Sequence, residues 1–181
     1  MGIPKEKKYT AEEFLSFSET KSELMELING EIVYLASPST AHQRLVMQIS
    51  SAINFYIKSN KGKCEVFPAP FDIVLENNSV VIPDISIICD KSKIDSKRCN
   101  GSPDLVIEIV SSNRYDDYVR KLSLYEKFGV REYWIVDPKY RRTITYCFES
   151  GDFPNIYTFD MSIPVNIYNG DLLINIDELL K

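Results

Sequence analysis

The chain is poor in the residues that common site chemistries need. It has one histidine, His42, which excludes a metal site built from several imidazoles and leaves a nucleophile–histidine–acid triad dependent on a single residue. Its four cysteines, Cys64, Cys89, Cys99 and Cys147, form no CxxC pair, so neither a zinc knuckle nor a dithiol redox motif is expected. Cys89 and Cys147 sit in or beside apolar, strand-like runs and read as core residues; reduced thiols fit a cytoplasmic location. No apolar run approaches the roughly 20 residues that cross a bilayer, so no membrane partner is expected. MGIPKEKKYT has no apolar stretch of the kind that directs export, and Glu6 breaks the myristoylation pattern that Gly2 would begin. There is no internal repeat and no low-complexity linker. Basic charge is also short: the net charge is −5, the opposite of the usual nucleic-acid footprint, although a carboxylate cluster that binds metal lowers net charge as well.

What is present is ordinary globular material, 44% hydrophobic and 26% charged, over 181 residues that suffice for one domain, 1–181. Thr10-Ala-Glu-Glu13 has the spacing of a capping box and predicts a short helix to about Ser18. Asn29-Gly30 predicts a type I′ turn inside a hairpin spanning Leu24 to Leu35. After Ser37-Pro38-Ser39, which can cap, Val46, Ile49, Ile53, Tyr56 and Ile57 recur at helical steps and predict a helix from Thr40 to about Asn60. Strands are expected at Cys64–Phe67, Phe71–Leu75 and Val80–Ile88, with an exposed basic loop from Lys91 to Pro103.

The run Asp104 to Val110, DLVIEIV, reads as a central strand covered on both sides, which makes Glu108 costly unless it is paired or binds metal. Tyr115–Phe128 is expected to be a helix, with Val119, Leu122 and Tyr125 on one face and Gly129 just past its end. Arg131–Val136 follows as a strand parallel to the Glu108 strand. Thr143–Phe148, further short strands and a small helix after Asp177 complete the chain. The order predicts an α/β protein with a mixed sheet flanked by helices.

The pattern richest in chemistry is Pro83-Asp84, then Glu108 in a strand, then Lys121 on the next helix. If the strands of Asp84 and Glu108 are neighbours, the two carboxylates meet. Two carboxylates and a main-chain carbonyl, that of Ile109, form a hard oxygen site suited to Mg²⁺ (or Mn²⁺). Such an ion can polarise a phosphate and supply a water nucleophile, and a nearby lysine can orient or deprotonate that water or neutralise developing charge.

Three stretches carry a resemblance: ELINGEIVYLASPSTAHQRL (Glu26–Leu45), FDIVLENNSVVIPDISII (Phe71–Ile88) and PDLVIEIVSSNRYDDYVRKLSLYEKFGVREYWIVDP (Pro103–Pro138). In order and spacing they resemble the PD-(D/E)XK nuclease superfamily, and in particular its bacterial family of restriction-endonuclease-type domains. The resemblance implies a restriction-endonuclease-like fold: a central mixed sheet flanked by helices, an N-terminal helix plus hairpin, and extra C-terminal strands. It implies a Mg²⁺-dependent endonuclease, a hydrolase acting on DNA, with Asp84 and Glu108 as metal-binding acids. By analogy, a homodimer would be the cutting form.

The pattern departs from the family's in two places. Val110 stands where the motif lysine would be, and the resemblance places that lysine on Lys121, in the pattern Asp117-x-x-x-Lys121-x-x-x-Tyr125, one helix face on which Tyr125 packs below. Ser111-Ser112 is one residue shorter than the family's serine-proline-serine. Glu26 could add a further acid or form a structural pair in the hairpin. His42 could touch phosphate or metal, or serve only the helix start. Asp117 could join the site or pair with Lys121, and Asp72 reads as structural. Arg114 and Arg120, with the Lys91–Arg98 loop, could grip a DNA backbone. Trp134 and the tyrosines read as core. A competing function is a nuclease-like module that binds nucleic acid or protein and cuts weakly or not at all; another is an interaction module whose sheet edge pairs in a dimer.

Overall fold

A computed structural model describes residues 7–111 and 115–181. In chain order the elements are helix α1 (Ala11–Ser18), the hairpin β1 (Met25–Ile28) and β2 (Glu31–Tyr34), and helix α2 (Thr40–Ser59). Strands β3 (Glu65–Pro68), β4 (Asp72–Glu76), β5 (Ser79–Val81), β6 (Ile85–Ile88), β7 (Arg98–Asn100) and β8 (Leu105–Ile109) follow. A π-helical turn, Asp116–Arg120, runs into α3 (Lys121–Lys127). The chain ends with β9 (Glu132–Asp137), β10 (Arg142–Cys147), β11 (Asn155–Thr158), β12 (Ser162–Pro164), β13 (Leu173–Asn175) and α4 (Ile176–Leu179).

Local chemistry explains the ends of these elements. Thr10 accepts the Glu13 amide while the Glu13 carboxylate takes the Thr10 amide, the expected capping box. Asn29 and Gly30 take φ of 52° and 84°, the two left-handed positions that let the β1–β2 hairpin turn in two residues. The Ser39 hydroxyl caps α2 at the His42 amide.

The main sheet has six strands in the order β11-β10-β9-β8-β6-β3, with β8 and β9 parallel and the other neighbours antiparallel. A second sheet runs β2-β1-β5-β4-β7. The helical stripe of α2 (Leu45, Ile49, Ile53, Ile57) packs on Leu105, Ile107 and Ile109 of β8 and on Ile85 and Ile87 of β6. Burying each such side chain contributes roughly 1.5–3 kcal/mol. The opposite face of the main sheet, with Val106, Val110, Tyr133 and Ile135, packs on Leu124 and Tyr125 of α3 and on Ile28, Ile73 and Val81 of the second sheet. Helix α1 closes the far side of the second sheet through Phe14, Met25, Leu27 and Val80.

Several expectations are corrected. The stretch Val80–Ile88 is two strands in two sheets: β5 pairs with β1 and β4, β6 with β3 and β8. Pro83 between them has no N–H for either ladder, and the chain crosses from one sheet to the other there. The Lys91–Pro103 loop contains β7, parallel to β4, whose Cys99 is fully buried. Burial pushes the Cys99 thiol up to about 11. Val119 is exposed instead of packed, because the helix begins with a π turn in which the Lys121 amide bonds the carbonyl of Asp116, five residues back, and so shifts the phase of the first turn.

Cys64 and Cys89 are joined in a disulfide. Glu65 pairs with Ile88, so the next step of the β3–β6 ladder sets the two cysteines opposite each other. Their 25-residue separation conceals this. The bond removes the support that reduced thiols gave to a cytoplasmic location. Among the described residues no helix is long and apolar enough to cross a membrane.

Candidate active site

On β8 side chains alternate faces, so Leu105, Ile107 and Ile109 meet α2 while Val106 and Glu108 turn toward α3 and the second sheet. The β6–β8 register pairs Ile85 with Ile107, and its next step sets Asp84 opposite Glu108 on that same face. Cross-strand neighbours of this kind have Cβ atoms about 4.5–5.5 Å apart. The expected meeting of the two carboxylates thus follows from strand pairing.

From α3, Lys121 reaches across with its Nζ 2.9 Å from Glu108 Oε1 and 3.0 Å from Glu26 Oε1. Tyr125, one turn further on, donates its O–H to Glu108 Oε1 at 2.8 Å. Tyr125 therefore contacts the central acid directly and does not simply pack beneath it. Glu26, from β1 of the second sheet, also accepts the Ile82 amide at 2.8 Å and is 1% exposed. Asp84 Oδ2 accepts the Ile109 amide at 2.7 Å and contacts His42 Nε2 at 3.0 Å. His42 thus sits at the start of α2, with its amide on the cap and its ring on Asp84.

Glu26, His42, Asp84, Glu108 and Lys121 line one cleft of about 230 Å³ together with Asp116, Asp117 and Ile109. Its other wall is apolar, built from Leu24, Val33, Leu35, Ala69 and Pro70 among others. Of the residues singled out from sequence, the structure gathers Asp84, Glu108, Lys121, Glu26, His42, Asp117 and Ile109. Arg120 is not in the cleft lining; it pairs with Glu31 at 3.0 Å and with Asp116 at 3.5 Å. Arg114 lies outside the described residues. Asp72, at the start of β4, is not part of the lining, in keeping with a structural role. Asp116 and the Tyr125 hydroxyl were missed; the Asp117-x-x-x-Lys121-x-x-x-Tyr125 spacing held a signal for the second only.

Charge in the cleft is unbalanced. Among the described residues, five carboxylates (Glu26, Asp84, Glu108, Asp116 and Asp117) line it against one ammonium and one imidazole. Burial raises the Glu108 pKa well above the usual carboxylate range; Lys121 opposes this, and Asp84, Asp117 and Glu26 reinforce it. Asp117 is pushed up to about 6 by burial, against the pull of Lys121 and with the help of Asp84, Glu26 and Asp116. Burial works against the charge of Lys121, but Glu108, Glu26 and Asp117 outweigh it and hold the ammonium form. For His42 burial likewise favours the neutral ring; the Asp84 hydrogen bond and charge, with the Ile109 main chain, reverse the balance and raise its pKa.

The donor set fits a hard divalent cation. Asp84 Oδ1 and Glu108 Oε2 have no hydrogen-bond partner among the described residues, while the second oxygen of each carboxylate is fixed by protein donors. Among the described residues no three His, Cys, Asp or Glu side chains converge as a ready metal cage. Two carboxylates supplemented by main chain and water match the habit of Mg²⁺, which keeps several waters. The surplus of carboxylates, two of them with raised pKa, is what a cation would neutralise.

Comparison with known proteins agrees with this architecture. A family model described as "Putative restriction endonuclease" (Uma2) matches residues 11–161. The crystal structure of "a putative nuclease belonging to DUF820" from Anabaena variabilis ATCC 29413 superposes with a TM-score of 0.75 over 94% of this chain and 96% of that one, at 23% identity. The likeness shows a shared fold. Two uncharacterized proteins of Synechocystis sp. (strain ATCC 27184 / PCC 6803 / Kazusa), sll1609 and slr1290, are each 28% identical to it. The first match covers 71% of this chain and 74% of the relative, the second 65% and 62%.

Proposed function

The chain belongs to the Uma2 family, a nuclease-type family with the restriction-endonuclease-like fold, and from that premise we propose that it is a divalent-metal-dependent endonuclease acting on DNA. The observation that carries this reading is the convergence of Asp84 and Glu108, each with one carboxylate oxygen unpartnered among the described residues, beside an ammonium held by buried acids. Asp84, Glu108 and the main chain at Ile109 would hold the ion. Mg²⁺ or Mn²⁺ bound there would polarise the phosphate and lower the pKa of a bound water.

The protein's own groups have separable tasks. Lys121, kept as an ammonium, donates to the attacking water or to a phosphate oxygen and offsets charge developing on it; the proximity of Glu108 and Glu26 makes it a poor base. Tyr125 and Lys121 occupy Glu108 Oε1, so that Oε2 is the oxygen that would hold an ion. His42 and the Ile109 amide do the same for Asp84. Glu26 anchors the lysine between the two sheets.

A second reading is a catalytically weak nuclease-like module that binds nucleic acid or a protein. The acidic cleft favours it: the net charge is −5, and Lys121, the one lysine of the cleft among the described residues, is consumed by ion pairs. Calorimetry with Mg²⁺ and Mn²⁺ on the wild type, Asp84→Ala and Glu108→Ala separates the two, together with nicking of supercoiled plasmid. Metal binding lost in both variants, with nicking that requires metal, Asp84 and Lys121, supports the endonuclease. Metal binding indifferent to both substitutions would sink the proposed site.

A further inference from the structure

The π turn that delivers Asp116 and Asp117 to the acidic cleft delivers Tyr118 to a second one, and Tyr115 immediately precedes it. This second cleft is open, about 470 Å³, and lined by Tyr115, Tyr118, Tyr140 and Arg142. Tyr115 and Tyr140 are 62% and 57% exposed, unlike the buried Tyr125 and Tyr133, so their placement does nothing for the core. The site is held in shape. Asp137, at the end of β9, accepts the Tyr118 hydroxyl at 2.7 Å and the amides of Lys139 and Tyr140 at 3.2 and 3.3 Å. Those bonds fix the turn that presents Tyr140. Among the described residues, two cations approach the Tyr140 ring: Arg142 Cζ lies 5.2 Å from its centroid and Lys139 Nζ 5.5 Å.

Exposed aromatic rings beside cations on a rigid frame are what an unpaired nucleotide recognises: the base stacks on a ring and the phosphate meets the cation. A base inside a duplex is already stacked and cannot use such a surface. We infer that the Tyr115–Tyr140–Arg142 cleft is a binding site for an unpaired nucleobase, and that the substrate carries a single-stranded segment next to the phosphate to be cut. The inference rests on the nuclease reading for its substrate. The connection between the two clefts is the π turn, which carries Asp116 and Asp117 into one and Tyr118 into the other. The two clefts thus flank a single turn of helix.

The test is fluorescence anisotropy of a short labelled oligothymidylate and of a blunt hairpin duplex, in the presence of chelator so that binding is read apart from catalysis. The wild type is expected to bind the single strand more tightly than the hairpin. Tyr115→Ala and Tyr140→Ala should each weaken single-strand binding about tenfold or more, while Tyr140→Phe, which keeps the ring, retains it. Both residues are exposed, and unchanged melting temperatures would show the variants folded. Equal binding of the two probes, or alanine variants that bind as the wild type does, would overturn the inference. Failure of the nuclease reading registers elsewhere, as plasmid nicking that is absent or insensitive to Asp84→Ala. Tyrosine-dependent binding without nicking would leave the stacking cleft in place on a protein that binds and does not cut.

Discussion

The two faces of β8 are built on opposite principles. Leu105, Ile107 and Ile109 press into the apolar stripe of α2, where every contact is interchangeable in kind and stability comes from the area removed from water. One residue out of phase, Glu108 is 4% exposed among Lys121, Tyr125 and the reach of Glu26, where burial costs energy that the donors to its Oε1 offset only in part. The first face tolerates approximation. The second does not, since each missing partner strands a buried charge. What the second face gains is pre-arrangement: a buried acid and a lysine are held in fixed positions, as the proposed function requires.

Substitutions can break this contrast, and the largest effect is expected from Lys121→Ala. It leaves Glu108 and Glu26 buried without their cation and should lower the unfolding free energy by about 3–5 kcal/mol, read as a fall in the urea midpoint. A midpoint near wild type would mean that the acids escape their burial by protonation or rearrangement. On the apolar face Ile53→Ala should cost about 2–5 kcal/mol through the cavity it opens, yet leave cleavage per folded molecule unchanged. Loss of activity beyond the loss of folded protein would show that the two faces are not independent.

Next in size is a pH effect of opposite sign. The Asp117 carboxyl is moved from 3.8 to about 6, so the folded protein binds its proton more tightly than the unfolded chain does. Its contribution to stability is full below pH 3.8 and is lost as pH rises through about 6, at most about 3 kcal/mol. In metal-free protein Asp117→Asn should flatten the stability profile between those limits and be the more stable of the two at pH 7. A profile parallel to wild type would count against this placement of Asp117. Smallest, Tyr125→Phe removes one hydrogen bond to Glu108 and should cost about 1–2 kcal/mol. If it costs nothing, the phenol is a packing group, as its helix spacing alone suggested.

Features governed by neighbours in the chain were legible beforehand. The Thr10 capping box, the Asn29-Gly30 turn, the α2 stripe and the two-sided burial of β8 all depend on residues within a few positions of each other. The joining of Asp84 to Glu108 was legible conditionally, through the guess that their strands are adjacent. The break at Pro83 between two sheets, the buried β7, the exposure of Val119 and the pairing of Cys64 with Cys89 were misread. In each case the outcome depends on which strand or turn lies alongside, a matter of long-range contacts. Tyr115 and Tyr140 were likewise taken for core, because aromatic residues in the sequence carry no mark of the surface they will face.

By itself the sequence determined the helices α1 and α2, the β1–β2 hairpin and the central strand β8, and the order in which Asp84, Glu108 and Lys121 stand, since periodicity, capping and motif spacing are properties of the chain. Only the tertiary structure decided that Glu26, 95 residues before Lys121, would share that lysine with Glu108, and that the same helical turn would border both an acidic cleft and an aromatic one. Such arrangements arise when two separate sheets pack on one helix, and the burial that this packing imposes turns ordinary surface residue types into a charged, pre-arranged site.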